Sequence, residues 1–368
     1  MAISAGLVGL PNVGKSTLFN ALTRSSVPAE NYPFCTIDPH LACTLVPDER
    51  VEKLRNIYSS EKTVPATVQF VDIAGLVKGA ASGEGLGNQF LSHIREVNLI
   101  LHVLRCFSDE TMPEEREPLV DYDIIITELM LKDLDSVAKR IEKILSLTKA
   151  SKGDPKKLKE LESEKELLTA LSRELNNSHL EGVQGLLRTA TISTVPLLCA
   201  KNFLIIANVA ESELADNAYR KNPHIQSLIQ RFGEHRVIPV SARLEYELTL
   251  LPETDREEMR NMMGLETDNL AQIIKKTFQE LNLITFFTCG PREIHAWPIP
   301  HGLTVRQAAG EIHSDLERGF ICADVFNCSD LFEFQSEPKL RVAGKIRTEG
   351  QDYQVKDGDV ILVKFNVS

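Results

Sequence analysis

One stretch limits what this chain can fold into more than any other: Gly9-Leu10-Pro11-Asn12-Val13-Gly14-Lys15-Ser16 fits G-x-x-x-x-G-K-[ST] without a gap. Its flanks agree with it. The β-branched, apolar run Ile3 to Val8 reads as a buried strand, and Thr17-Leu18-Phe19-Asn20-Ala21-Leu22 as the opening of a helix. A strand that feeds a helix through such a loop is a phosphate cradle, because the first N–H groups of the helix lack intrahelical acceptors and lie at the positive end of its dipole. Gly9, Asn12, Val13, Gly14, Lys15, Ser16 and Thr17 are therefore expected to hold phosphates. Lys15 would place its ammonium between the β- and γ-phosphates, and the Ser16 hydroxyl would be a magnesium ligand.

The segment Asn31-Tyr32-Pro33-Phe34-Cys35-Thr36-Ile37-Asp38-Pro39 has neither helical nor strand periodicity and reads as a loop. Between a phosphate loop and the next strand, this is where GTPase-like proteins keep a switch whose threonine closes on magnesium, and Thr36 is that residue here. The plainer alternative is a proline-rich loop with a capping threonine. Ala66 to Val71 then reads as a strand ending in Asp72-Ile73-Ala74-Gly75, a D-x-x-G match. Asp72, at the carboxyl end of a strand, can hold magnesium through water, and the Gly75 N–H can meet the γ-phosphate. The next residue is Leu76, where Ras-like enzymes carry the glutamine that orients water. An apolar side chain cannot do that, so slow intrinsic hydrolysis is expected. Gly79, Gly83, Gly85 and Gly87 make the following segment a flexible loop.

A helix from Phe90 to Val97 and a buried strand from Leu99 to Leu104 continue the parallel α/β order, and Phe203 to Ala207 and Val237 to Val240 are further strands. They lead into Asn208-Val209-Ala210-Glu211 and Ser241-Ala242, where GTPases carry the base-reading N-K-x-D and S-A loops. The aspartate of N-K-x-D accepts from guanine N1–H and the 2-amino group, a donor pair adenine lacks. Glu211 replaces that aspartate and Val209 the lysine, so guanine selection should fail and adenine be accepted. The alternative is that Asn208 to Glu211 is only a strand-end turn.

At 368 residues two or three domains are expected. The net charge of −11 argues against a nucleic-acid-binding surface spread over the whole protein, while leaving room for a local basic face. The seven cysteines are scattered, with no C-x-x-C, and read as reduced thiols of a cytosolic protein. No signal peptide or membrane span is expected. None of the nine histidines is paired H-x-x-x-H, and none is singled out as catalytic.

From Met130 the apolar positions Met130, Leu134, Val137, Ile141 and Ile144 alternate four and three, the seam of a long helix. Ser151 to Pro155 breaks it, and Leu158, Leu161, Leu168, Leu171 and Leu175 resume it, giving an antiparallel helical hairpin. Lys139, Arg140, Lys143, Lys149, Lys152, Lys156, Lys157 and Lys159 cluster around its tip, which makes RNA binding one expectation and a solvated coiled-coil face the other. From about Leu283 short strands (Ile284 to Cys289, Val325-Phe326, Val360 to Phe365) and one helix (Val305 to Ser314) read as a small α+β binding module.

These stretches together resemble the YchF, or Obg-like ATPase, family of P-loop proteins over nearly the whole chain. The phosphate loop, the N-Y-P-F-C-T-I-D-P switch, the run Asp72 to Asn88 and the tail (Phe287 to Trp297, Gln307 to Gly310, Gly350 to Val360) carry the resemblance. It implies an Obg-type α/β G domain (1–129 and 199–281), with a mostly parallel sheet and helices on both faces. The coiled-coil arm (130–198) interrupts that domain, and a C-terminal β-grasp TGS domain (282–368) follows. It also implies a preference for ATP over GTP, slow magnesium-dependent hydrolysis and ribosome association, with Asn208 and Glu211 matching the family's N-x-x-E base motif. Two departures stand out: Asp109 to Asp121 lacks the histidine the family often carries after Arg105-Cys106-Phe107, and Arg243-Leu244 follows Ser241-Ala242. The resulting expectation is a cytoplasmic, monomeric ATPase. Lys15, Thr36 and Gly75 would be catalytic, Ser16, Thr36 and Asp72 metal ligands, and Asn208, Val209, Glu211, Ser241 and Ala242 would border the base. The large ribosomal subunit and RNA are its expected partners. The alternatives are an Obg-type GTPase and a nucleotide-sensing ribosome- or RNA-binding protein whose hydrolysis is incidental.

Overall fold

The computed structural model describes residues 3–25, 40–73, 86–107, 117–151, 153–192, 194–265 and 268–366. In chain order they begin with β1 (Ser4–Val8), α1 (Lys15–Arg24), β2 (Leu41–Leu45), α2 (Glu49–Tyr58), β3 (Lys62–Val64), β4 (Thr67–Asp72), α3 (Leu86–Glu96) and β5 (Leu99–Arg105). Next come α4 (Pro118–Ala150), α5 (Pro155–Asn176), α6 (Leu180–Thr189), β6 (Asn202–Asn208), α7 (Glu211–Leu214), α8 (Pro223–Phe232), β7 (Val237–Val240), α9 (Ala242–Thr249), α10 (Glu253–Met262) and α11 (Asn269–Glu280). The last part holds β8 (Leu283–Cys289), β9 (Glu293–Pro300), α12 (Val305–Ile312), α13 (Ser314–Arg318), β10 (Phe320–Asn327), α14 (Cys328–Phe334), α15 (Glu337–Val342), β11 (Arg347–Glu349) and β12 (Asp359–Phe365). The chain forms two compact units, one of Ser4–Ala21 and Val71–Glu266, the other of Met1–Ile3, Leu22–Phe70 and Thr267–Ser368.

In the first unit β1, β5, β6 and β7 run parallel. Ala5 pairs with Leu99, Leu99 with Asn202, and Ile205 with Val237. Strands covered on both faces must be apolar throughout, and every residue of β1 and β5 is buried. Because the strands are parallel, Val8, Arg105, Asn208 and Val240 all end at one edge, the edge where open α/β sheets carry their ligands. The Ile73 N–H donates to the Leu7 carbonyl at 3.3 Å, which brings Asp72 to the same edge.

The hairpin of α4 and α5 belongs to this unit. Met130, Val137 and Ile144 are buried on α4, and Leu161, Leu168, Leu171 and Leu175 on α5. The Arg140 guanidinium donates to both Glu164 oxygens at 2.7 and 2.8 Å. The turn is closed by Asp154, whose carboxylate accepts from the Lys157 N–H at 3.1 Å, with Pro155 at the first helical position. The helix α4 starts at Pro118, well before the seam at Met130 where periodicity alone places the arm. At its root Asp133, 1% exposed, accepts from the backbone N–H groups of Leu198 and Cys199 at 2.8 and 2.9 Å. Those two hydrogen bonds fix the chain as it returns toward β6.

In the second unit a sheet runs β11-β10-β12-β8-β9-β3. A core of Ile284, Phe286, Ile299, Val305, Ala308, Ala323, Val325 and Ile361 fills the space between sheet and α12. The strand β3, distant in sequence, pairs with β9 from Lys62–Glu293 to Val64–His295. Arg50 of α2 holds Asp357 at 2.6 Å, and Ser60 donates to the Gly290 carbonyl at 2.6 Å. Cys43 is disulfide-bonded, against the expectation of seven thiols, whereas Cys106, Cys199, Cys289, Cys322 and Cys328 are free. No described helix is long and apolar enough to cross a membrane.

Candidate functional site

The loop between β1 and α1 needs left-handed backbone at two positions, Asn12 (φ 65°) and Gly14 (φ 90°). Asparagine tolerates that region and glycine occupies it freely. A Cβ on Gly14 would also collide with the Asn208 side-chain nitrogen, and one on Gly9 would lie 2.8 Å from the Val103 carbonyl oxygen. The motif glycines thus let the loop lie against β5 and the end of β6. The first α1 backbone bond runs from the Leu18 N–H to the Gly14 carbonyl at 3.0 Å. The N–H groups of Gly14, Lys15, Ser16 and Thr17 therefore lie in the turn that has no intrahelical acceptors.

Lys15 is 8% exposed, and its ammonium pairs with the Asp72 carboxylate. Two residues picked from separate motifs thus meet at one point of the sheet edge, beside the α1 N-terminus. Ser16, next in the helix, is exposed. A hydroxyl and a carboxylate are hard oxygen donors that fit magnesium beside phosphates rather than a soft transition metal. Among the described residues no cluster of histidine, cysteine and carboxylate side chains could hold a metal by itself.

Asn208, 4% exposed, joins two loops. Its Nδ2 donates to the Val13 carbonyl at 2.9 Å and its Oδ1 accepts from the Ala242 N–H at 3.0 Å. One amide therefore fixes the phosphate loop against the Ser241-Ala242 loop. Ser241 caps α9, accepting from the Leu244 N–H at 3.4 Å. Val209 is buried, with its N–H donating to the Val240 carbonyl at 2.8 Å, and Ala242 is buried as well. Glu211 is exposed at the start of α7, where Glu211, Ser212, Ala215 and Met263 line a surface hollow of about 470 Å³. Thr36, Gly75 and Leu76 lie outside the described residues.

Sequence reasoning missed Glu213 and Asn222. The Glu213 carboxylate accepts from the Ala210 N–H at 3.1 Å and from Asn222 Nδ2 at 2.8 Å, and the same Asn222 nitrogen donates to the Cys106 carbonyl at 2.9 Å. Cys106 in turn donates its N–H to the Asn208 carbonyl at 2.8 Å. This ring braces the turn that presents Glu211. A glutamate three residues after a helix's first flanking position is a capping signal, but Ala210 has no side-chain oxygen to complete the box, so the pattern is half silent. His102 lies 1% exposed on β5, 4.9 Å from the Tyr122 ring, and burial pushes it down to about 3. It is neutral at physiological pH and not a proton carrier for the site.

A family model described as a 50S ribosome-binding GTPase matches residues 4–148, and the YchF-GTPase_C model matches residues 283–366. The chain is 41% identical over 378 residues to the ribosome-binding ATPase YchF of Escherichia coli O157:H7, covering all of both chains. It is 41% identical over 373 residues to that of Bacillus subtilis (strain 168), again over the full length of both. The solved structure of the Schizosaccharomyces pombe YchF GTPase superposes with a TM-score of 0.82 at 34% identity, over 98% of this chain and 97% of that one. The fold is that of a P-loop GTPase carrying a C-terminal α+β module, and this chain belongs to the YchF family.

Proposed function

We propose that this protein is a magnesium-dependent P-loop ATPase of slow turnover that docks on the ribosome, through its large subunit, in a nucleotide-regulated way. The observation that carries the reading is the meeting of Lys15 with Asp72 beside the first turn of α1. That turn offers backbone N–H groups for phosphate oxygens, Lys15 adds a buried cation beside them, and Ser16 and Asp72, together with Thr36, would hold magnesium. Magnesium bound there supplies neutralisation of charge on the β- and γ-oxygens. Lys15, the Gly75 N–H and Thr36 stabilise the transferring phosphoryl group, and Leu76 leaves the attacking water without a side-chain partner, hence the slow turnover. The exposed Glu211 and the absence of a lysine at Val209 support acceptance of adenine, with Asn208, Ser241 and Ala242 fixing the wall of the base site.

The names of the relatives support ribosome binding, and a partner of that kind would put the protein, as a monomer, in the cytoplasm. The proposed organisation is a G domain of 1–129 and 199–281, an arm of 130–198 that contacts RNA through its lysines, and a TGS domain of 282–368. A GTPase is the second reading, favoured by the description of the model that matches residues 4–148. The test is co-sedimentation with large ribosomal subunits in ATP and in ADP, paired with single-turnover hydrolysis of wild type and Lys15→Ala. The proposal expects sedimentation that depends on nucleotide and hydrolysis abolished in the variant. Equal sedimentation in both nucleotides, or hydrolysis that survives Lys15→Ala, overturns it.

A further inference from the structure

In the same unit as the phosphate loop, α3 and the root of α4 enclose a cleft of about 370 Å³. Its polar lining is Arg95 and Ser92 from α3 and Lys132, Asp135, Ser136 and Lys139 from α4. In a chain of net charge −11, three cations against one carboxylate make a local reversal of sign. Arg95 donates to the Ser136 hydroxyl at 3.3 Å, which aims its guanidinium across the cleft, and Lys132 lies 4.0 Å from Asp135. The α3 wall is fixed from behind, because the Lys201 ammonium donates to the Arg95 carbonyl at 3.0 Å and to that of Val97.

The cleft opens onto a stripe. Lys132, Ser136, Lys139 and Lys143 are spaced four, three and four residues apart, so they share one face of α4. At 1.5 Å per residue the stripe is about 16 Å long. Lys139 and Lys143 are exposed, flanked by the acids Asp135 and Glu142. A row of point charges ending in a guanidinium suits a chain of phosphates better than a lone carboxylate, since Lys and Arg both donate to phosphate oxygens without reading a base. The Ser136 hydroxyl, which accepts from Arg95 and donates to the Lys132 carbonyl at 3.1 Å, orients the guanidinium and is not itself a donor to the ligand.

We infer that this cleft and stripe form a phosphate-binding site for the backbone of single-stranded RNA, entering at the root of the arm rather than at its tip. The inference rests on the reading of the arm as an RNA-binding element and names where the RNA sits.

The experiment is fluorescence anisotropy of a labelled single-stranded RNA at several KCl concentrations, with a non-hydrolysable ATP analogue filling the phosphate loop. It compares wild type, the root variant Arg95→Ala/Lys139→Ala, the charge-keeping Arg95→Lys/Lys139→Arg, and the tip variant Lys156→Ala/Lys157→Ala. Pyrophosphate titration of the same four proteins separates free phosphate from RNA as the source. The root variant should bind RNA about tenfold more weakly, with the salt slope reduced by about 0.7 for each phosphate it no longer neutralises. The charge-keeping variant should retain binding, and melting temperatures should be unchanged. If wild type binds RNA and only the tip variant weakens it, the arm reading survives and the root site is overturned. If wild type binds no RNA but binds pyrophosphate through the root residues, the arm reading fails while the phosphate site stands. Loss of both overturns the site.

Discussion

Asn208 is the side chain on which the geometry of the site turns, and Asn208→Ala measures how much. The substitution removes two buried hydrogen bonds and leaves both partners, the Val13 carbonyl and the Ala242 N–H, inside a pocket where Asn208 itself was 4% exposed. A buried polar group left unpaired costs about 1–3 kcal/mol, so two of them cost about 2–6 kcal/mol of stability. The deletion also frees space beside Gly14, so part of that cost is recovered if the loop relaxes and lets water in. Relaxation of the loop, however, spoils the phosphate cradle. The expected result in urea denaturation of the nucleotide-free protein is a loss of at least about 2 kcal/mol, accompanied by weaker triphosphate binding. Asn208→Asp is the sharper variant. Its carboxylate still accepts from Ala242 but faces the Val13 carbonyl with a second acceptor, so it should bind triphosphate no better than Asn208→Ala. A loss below about 1 kcal/mol, or an aspartate variant with wild-type affinity, would refute the idea that this amide holds the two loops together.

Glu213→Ala should weaken ATP binding by about tenfold, or 1.4 kcal/mol, while leaving inorganic triphosphate binding unchanged, because Glu213 braces the turn carrying Glu211 and touches nothing in the phosphate loop; calorimetry with both ligands checks it. Gly14→Ala forces a positive φ on a residue with a Cβ, at about 1–3 kcal/mol, and pushes Asn208 from its place, so it should abolish nucleotide binding and lower the melting temperature. Asp133 is raised above the ordinary carboxylate value of 3.8, chiefly by burial, against the lowering effect of the Cys199 and Leu198 N–H groups. Between 3.8 and its folded value the native state holds the proton that the unfolded state has lost, so this group lowers stability as pH rises through that window. Asp133→Asn should flatten that part of the stability–pH curve, measured by urea denaturation from acid to neutral pH.

The elements that were legible from residues alone are those whose signal is local. The strand, loop and first turn from Ser4 to Leu22 were readable because the phosphate motif fixes both backbone and neighbours, and β5, β6 and β7 because a strand covered on both faces must be apolar. The start of α4 at Pro118 was hidden, since its first turns pack against the sheet and carry apolar residues on more than one face, blurring the seam that begins at Met130. The strand β9 contains Pro298 and Pro300, which argue against a central strand. It tolerates them because β3 covers it only from Glu293 to His295. The pairing of β3 with β9 joins residues far apart in the chain and leaves no periodic trace. In the site, Lys15, Asp72, Asn208 and Ser241 came from motifs, whereas Glu213 and Asn222 act through backbone groups of other residues, a role that side-chain identity does not announce.

The central claim, a P-loop site whose base pocket has given up guanine, is tested most directly by isothermal titration of the nucleotide-free protein with ATP and with GTP at fixed magnesium. The account predicts that both bind only with magnesium and Lys15 in place, and that ATP binds at least as tightly as GTP. GTP binding tenfold tighter than ATP, a difference of about 1.4 kcal/mol, would contradict it.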